Sequence, residues 1–93
     1  MSITIRIPTP LRAFTDRQPA VAATGCTVGE ALQDLTTRYP DLGRHLRDAQ
    51  GRLRSFVNIY LGEEDIRFLD QESTALFEGA ELTIVPSIAG GAR

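Results

Sequence analysis

The chain closes on Gly90-Gly91-Ala92-Arg93, which follow a strand-like run, Glu81-Leu82-Thr83-Ile84-Val85, that Pro86 stops. Glycine loses the most backbone entropy on ordering, so it belongs where the lack of a side chain is needed. The need a Gly-Gly end can meet is threading. A segment without Cβ atoms slides into a narrow active site and presents a glycine carboxyl for activation. From Pro86 to Gly91 an extended chain reaches roughly 17 Å beyond the last strand. The plainer reading is a frayed terminus, since chain ends are commonly disordered. The tail alone leaves both readings open, because a terminal Gly-Gly is a short motif.

Little else in the chain competes for the chemistry. Cys26 is the only cysteine, so no internal disulfide forms, which suits a reducing cytoplasm. It precedes a helix start, where a thiolate is favoured, but a lone cysteine more often fills space as a small buried hydrophobe. His45 has no second histidine to share a metal, so a zinc site is not expected. An iron–sulfur cluster would need four cysteine ligands. Neither a phosphate-cradling glycine loop nor a catalytic triad is present. Glu63, Glu64 and Asp65 form an acidic turn, read as a solvated loop that could also steer a basic partner.

The charge balance points the same way. Twelve acids against ten bases leave a net charge of −2, which argues against nucleic acid as a partner. All the basic residues are arginine. Without lysine, no side-chain amine exists for isopeptide linkage, so copies of the chain cannot be joined to one another through lysine. No apolar run approaches the length of a membrane span, and the N-terminus lacks a charged-then-apolar signal pattern. The expectation is one cytoplasmic domain over residues 1–86 with a flexible tail over residues 87–93.

A tail of this kind needs a rigid root, and the pattern of the chain supplies one. Ile3, Ile5 and Ile7 alternate with Ser2, Thr4 and Arg6, as in a half-buried strand. A weaker strand is expected over Pro19 to Ala23, joined to the first as a long hairpin. Thr27-Val28-Gly29-Glu30 is a capping box. It opens a helix whose stripe is Val28, Ala31, Leu32, Leu35 and Tyr39, ended by Pro40. Leu42 and Leu46 suggest a further short helical turn, and Asp48 to Arg52 a polar loop. Leu53 to Leu61 reads as the strongest strand, with Leu53, Ser55, Val57, Ile59 and Leu61 on one face. Ile66 and Phe68 are expected in a short strand after the turn at Gly62-Glu63-Glu64. Asp70 to Gly79 is expected to cross irregularly, with Leu76 and Phe77 tucked beneath. Glu81 to Val85 closes the domain.

This order predicts an α+β fold: a mixed sheet of four to five strands with one main helix packed on one face. The helix stripe should pack on Ile3, Ile5, Ile7, Val57, Ile59, Leu82 and Ile84. The opposite face keeps Phe56, Tyr60 and Val85. Scattered apolar surface residues are ordinary, but a cluster on one sheet face marks a docking patch.

The element order and the tail together resemble the ubiquitin-like sulfur-carrier proteins, which include the molybdopterin-synthase small subunit and the thiamine-pathway carrier. The likeness runs from Ile3 to Gly91 and is strongest to the actinobacterial carriers of cysteine biosynthesis. It rests on Ile7-Pro8 with Leu11-Arg12, the run Arg54 to Leu61, Glu64 to Phe68, and Leu82 to Gly91. The resemblance implies a β-grasp fold with the first and last strands parallel at the sheet centre. It also implies a carrier with no bound cofactor and no catalytic residue. An adenylating enzyme with a sulfur donor uses ATP to turn the carboxylate of Gly91 into an acyl-adenylate and then a thiocarboxylate. An acceptor such as a cysteine synthase, or another pathway-specific synthase, takes the sulfur.

One departure matters. Ala92 and Arg93 follow Gly91, so the glycine carboxylate does not exist until they are removed. The resemblance then implies a precursor cut between Gly91 and Ala92, the task of zinc-dependent JAMM-type peptidases for some related carriers. The competing readings are a ubiquitin-like modifier joined through Gly91 to lysines of other proteins, and a non-covalent β-grasp interaction subunit.

Overall fold

A computed structural model describes residues 1–86 of the chain. Five strands make one sheet: β1 (Ser2–Arg6), β2 (Ala20–Thr24), β3 (Val57–Leu61), β4 (Glu64–Asp65) and β5 (Glu81–Pro86), in spatial order β2-β1-β5-β3-β4. β5 runs parallel to β1 at the centre, with Ile5 beside Leu82. Every other pairing is antiparallel. Two helices, α1 (Val28–Arg38) and α2 (Pro40–Leu46), cover one face. This is the β-grasp arrangement, and the mixed sheet with a main helix on one face is as expected.

The helical stripe meets the sheet where the alternation says it should. Val28, Ala31, Leu32 and Leu35 are buried, as are Ile3, Ile5, Ile7, Val57, Ile59, Leu82 and Ile84. Leu42 and Leu46 of α2 extend the same cluster, and Tyr39 packs half-buried at its margin. A fully buried Leu or Ile contributes roughly 1.5–3 kcal/mol, so this single layer is the main source of stability. The hydroxyl of Thr27 accepts from the Glu30 amide at 3.2 Å. The Glu30 carboxylate reaches back to the amide of Cys26 at 2.8 Å, one residue earlier than a capping box usually reaches. Pro40 both ends α1 and opens α2. It has no N–H to extend the first helix, and its fixed φ suits the first turn of the next.

Three expectations give way to local chemistry. The strand foreseen from Leu53 begins only at Val57. The Arg54 amide donates to Leu46 O and the Val57 amide to Arg54 O, which bends the preceding residues into a turn against α2. Ile66 and Phe68 are not in a strand. The Asp65 carboxylate caps the Arg67 amide at 2.9 Å and starts a 3-10 turn over Ile66–Phe68. That turn buries Ile66 and leaves Phe68 83% exposed. Phe77 is not tucked under the crossing: it is 60% exposed, while Leu76 is buried. The Leu76 amide donates to Cys26 O and the Val28 amide to Thr74 O, so this stretch lies along the start of α1 and only alternate residues turn inward.

The crossing is fastened by an ion pair. Arg47 at the end of α2 grips Glu72 through two contacts, Nη2 to Oε1 at 2.7 Å and Nη1 to Oε2 at 3.1 Å. Its Nη1 also donates to Gly51 O. Glu72 lies against Gly29, where a Cβ would come within 3.2 Å of the Glu72 carbonyl oxygen. Glycine in the first turn of α1 therefore lets the crossing approach. At the sheet's far edge, α1 touches β2 with two side chains. Asp34 accepts from the Thr24 amide at 3.0 Å, and Arg38 donates to Ala22 O at 2.5 Å. The two also pair with each other at 3.1 Å.

A two-point, charge-assisted contact that is largely shielded from water should be worth more than a surface ion pair. Arg47→Ala is expected to destabilise the domain by about 1.5–3 kcal/mol. In a double-mutant cycle with Glu72→Ala, denaturant unfolding should show a coupling of about 1 kcal/mol. A coupling near zero would mean the crossing is held by apolar contacts alone.

Candidate functional site

The foreseen threading and processing residues, Gly90, Gly91 and Ala92, lie outside the described residues. The root from which they continue is described. β5 is flanked on both sides, by β1 and by β3. Its last residue, Pro86, lies opposite Val57. β1 pairs with β5 over Glu81–Thr83, and β3 alone carries the pairing on to Pro86, so the end of β5 is anchored by β3.

The three residues foreseen as a docking patch fall close to that point. Asn58 lies opposite Val85, and Tyr60 opposite Thr83. Val57 and Ile59 face the core, so Asn58 and Tyr60 face away from the helices. Val85 is 38% exposed on the same face, and Tyr60 is half-buried. Phe56, 48% exposed, sits in the turn that leads into β3 rather than in the strand itself. The structure therefore places Tyr60 and Val85 around Asn58 on the open face, with Phe56 next to them at the end nearest the tail.

Sequence reasoning missed the polar frame of this patch. The Arg67 guanidinium donates to the Asn58 side chain and is itself held by Asp65. The hydrogen bonds from the Arg67 backbone amide and side chain hold the Asp65 carboxyl below its ordinary range. On the other side of β5, Arg6 and Arg12 line a cleft with Pro8, Thr83, Val85 and Pro86. Arg12 donates through Nε to Ile7 O at 3.0 Å, which holds it over the end of β1. Only Arg6 carried a sequence signal, its outward place in the alternation. Arg12 and Arg67 reach the patch from turns whose geometry no local pattern announces.

The remaining candidates do not assemble into a metal site among the described residues. Cys26 is exposed, contrary to the buried role expected of a lone cysteine. Its amide and carbonyl are both engaged in the helix cap and the crossing. His45 lies on the Phe14 ring, centroids 4.2 Å apart, with Nδ1 3.1 Å from Asp41 O. Among the described residues no group of three or more His, Cys, Asp or Glu is placed to hold a metal, and no helix is long and apolar enough to cross a membrane. The acidic turn divides: Glu63 and Glu64 face solvent, while Asp65 is turned inward to Arg67.

Comparison with known proteins fits this geometry. The ThiS family matches residues 5–91. Sulfur carrier protein CysO of Mycobacterium tuberculosis (strain ATCC 25618 / H37Rv) is 42% identical over 93 residues, spanning 98% of this chain and 100% of that protein. A chain in the crystal structure of the Amycolatopsis orientalis BexX/CysO complex superposes with a TM-score of 0.86 at 36% identity, covering 96% of this chain and 99% of that one. Small archaeal modifier protein 3 of Haloferax volcanii is 35% identical over 66 residues, 70% of each chain.

The lowered Asp65 pKa sets a pH dependence. A carboxylate favoured in the folded state contributes stability above its unfolded pKa, about 3.9, and that contribution is lost as pH falls through the folded value. Asp65→Asn should therefore melt below the parent at pH 7, and the gap should close below about pH 4. A gap that stays constant between pH 7 and pH 3 would show that the carboxylate charge is not what holds Arg67.

Proposed function

This chain belongs to the ThiS family, and on that premise we propose that it carries sulfur as a thiocarboxylate on Gly91, exposed by removal of Ala92 and Arg93. The observation that carries the reading is the extent of the likeness. The family match runs through Gly91 and leaves two residues beyond it, and the full-length relative is a sulfur carrier. The chain itself acts as a co-substrate; catalysis resides in the enzymes that load and unload it.

The chemistry follows from a carboxyl at the end of a side-chain-free segment. A carboxylate is a poor electrophile. Its attack on the α-phosphate of ATP, in a partner's active site, releases pyrophosphate and gives an acyl-adenylate with AMP as a good leaving group. A donor sulfur displaces AMP, and the C–O bond to phosphate is exchanged for C–S. The thiocarboxylate anion is then a nucleophile whose sulfur attacks an electrophilic substrate held by an acceptor enzyme, forming a thioester. Cleavage of its acyl C–S bond by water or an amine leaves the sulfur on the acceptor. Cutting between Gly91 and Ala92, by a zinc-dependent peptidase of the JAMM type, would supply the free carboxylate.

The fold's share of this work is delivery. The sheet fixes the root, Phe56, Tyr60 and Val85 dock on the partner, and the glycines enter its active site. A related CysO chain forms a complex with BexX in Amycolatopsis orientalis, which supports docking of this domain on a partner protein. The likeness to a small archaeal modifier protein supports a second reading, ligation of Gly91 to lysines of other proteins. In that role the lysine-free chain would always be the donor. Intact-mass and peptide mass spectrometry from the native cell separate the two. A Gly91-ending form about 16 Da heavier, sulfur in place of oxygen, supports the carrier, whereas Gly-Gly remnants on lysines of other proteins support the modifier.

The full-length and Gly91-ending proteins should differ in ATP-dependent loading by the cognate adenylating enzyme: only the shorter form should gain sulfur. Gly91→Ala in the shorter form should fold normally and load at least about 100-fold more slowly, because a misplacement near 1 Å at a reacting centre costs that much. Equal loading of full-length and trimmed protein would remove the need for processing, and near-parental loading of the alanine variant would remove the threading argument.

Docking is tested apart from the tail. Phe56→Ala should weaken binding to the adenylating enzyme by about 2 kcal/mol, some 30-fold. It should leave the melting temperature nearly unchanged, since Phe56 is about half exposed in a turn. Affinity unchanged within about twofold would place the docking surface elsewhere.

A further inference from the structure

Charge on this domain is sorted along the sheet. β3 runs from Val57, opposite Pro86, to Leu61, opposite Leu82, so the tail root and the β3–β4 hairpin occupy opposite ends. The hairpin end is acidic. Glu63 and Glu64 sit in the hairpin, Glu81 opens β5 beside Gly62, and Glu78 accepts from the Ser2 amide. The tail end is cationic. Arg6 and Arg12 line the cleft with Val85 and Pro86. Arg67 reaches Asn58 opposite Val85, whereas the Arg54 guanidinium is turned onto α2, where it donates to Arg44 O at 3.1 Å.

The carboxylates near this end offset only part of this charge. Asp65 is committed to Arg67. Asp48 accepts from the backbone amides of Arg52 and Gln50, which hold its carboxyl below its ordinary range, with the Arg52 and Arg54 charges adding to this. Asp16 adjoins Arg17 in the loop before β2. Arg6 meets Glu81 only at 3.4 Å, both half-exposed, a pairing that solvent screens. Arg12 and Arg54 make no ion pair with any described residue. The surplus stands against a chain whose net charge is −2.

Resting on the carrier reading, we propose that Arg6, Arg12 and Arg67 form a cationic collar beside the end of β5, the root of the tail. It selects enzymes whose tail-binding mouth is rimmed with carboxylates. Guanidiniums grouped at this end of the sheet orient the molecule with that end foremost in such a field. Exposed rim charges act mainly on the rate of encounter and on its salt dependence. The apolar residues Phe56, Tyr60 and Val85 then hold what the collar has aligned. The acidic hairpin at the far end repels the same mouth, so the two ends cooperate in setting orientation.

The test compares two variants of equal charge change in the Gly91-ending protein. One removes the collar at the cleft, Arg6→Gln with Arg12→Gln. The other adds the same negative charge on exposed positions of α1, Gln33→Glu with Thr37→Glu. Stopped-flow association with the cognate adenylating enzyme is followed at low and high salt, with melting temperatures as a control for folding. The collar variant should associate about 10-fold more slowly at low salt and converge with the parent at high salt, where the Debye length falls to a few ångströms. The α1 variant should stay within about twofold of the parent. Equal slowing of the two variants, or a loss that high salt does not erase, overturns the collar while leaving the carrier intact. A parent that neither binds nor is adenylated overturns the carrier reading and the collar with it.

Discussion

The parallel pairing of β1 with β5 is the constraint on which the rest depends. Ile5 and Leu82 lie side by side with no exposed surface, so the first and last strands form the centre of the sheet. Parallel neighbours cannot be joined by a tight turn. All of α1, α2, β3, β4 and the crossing must therefore be threaded between them, and the helices must cover the face they share. The same pairing decides where the tail begins. The start of β5 is held by β1 and β3 together, and β3 continues the pairing to its last residue, Pro86.

Most of this architecture was legible because alternation and helical spacing report burial directly. Ile3, Ile5 and Ile7 announce a strand, and Val28 to Leu35 a helix, since each pattern has a single periodic explanation. What escaped was decided by hydrogen bonds between residues distant in sequence or by single side chains. Leu53 to Phe56 alternates as a strand does, yet the Arg54 amide finds the end of α2 first. Ile66 and Phe68 have the right spacing for a strand, but Asp65 caps the following amide and curls the chain. No hydropathy pattern contains these competitions, because the winning partner is polar and local geometry selects it.

The candidate site divides in the same manner. Phe56, Tyr60 and Val85 could be read as outward apolar positions, and their register around Asn58 follows from the β3–β5 pairing. The likeness to known carriers, not periodicity, gave Gly91 its meaning. The arginines around the root were beyond reach: Arg12 arrives from a 3-10 turn and Arg67 through Asp65, and neither placement leaves a trace in composition. Glu63 and Glu64, which do stand out in sequence, lie at the end of the sheet away from the root.

The contact of α1 with β2 has a consequence for solubility. An edge strand is a template on which any extended chain can crystallise into fibrils, and small β-rich proteins must blunt it. Here Asp34 and Arg38 occupy the open hydrogen-bonding groups of Thr24 and Ala22, imitating the donor and acceptor of a strand that is not there. The sheet is thus closed to growth on that flank by its own helix. With that flank occupied, β4 is the sheet's other edge, and it is only two residues long, too short to template a long added strand.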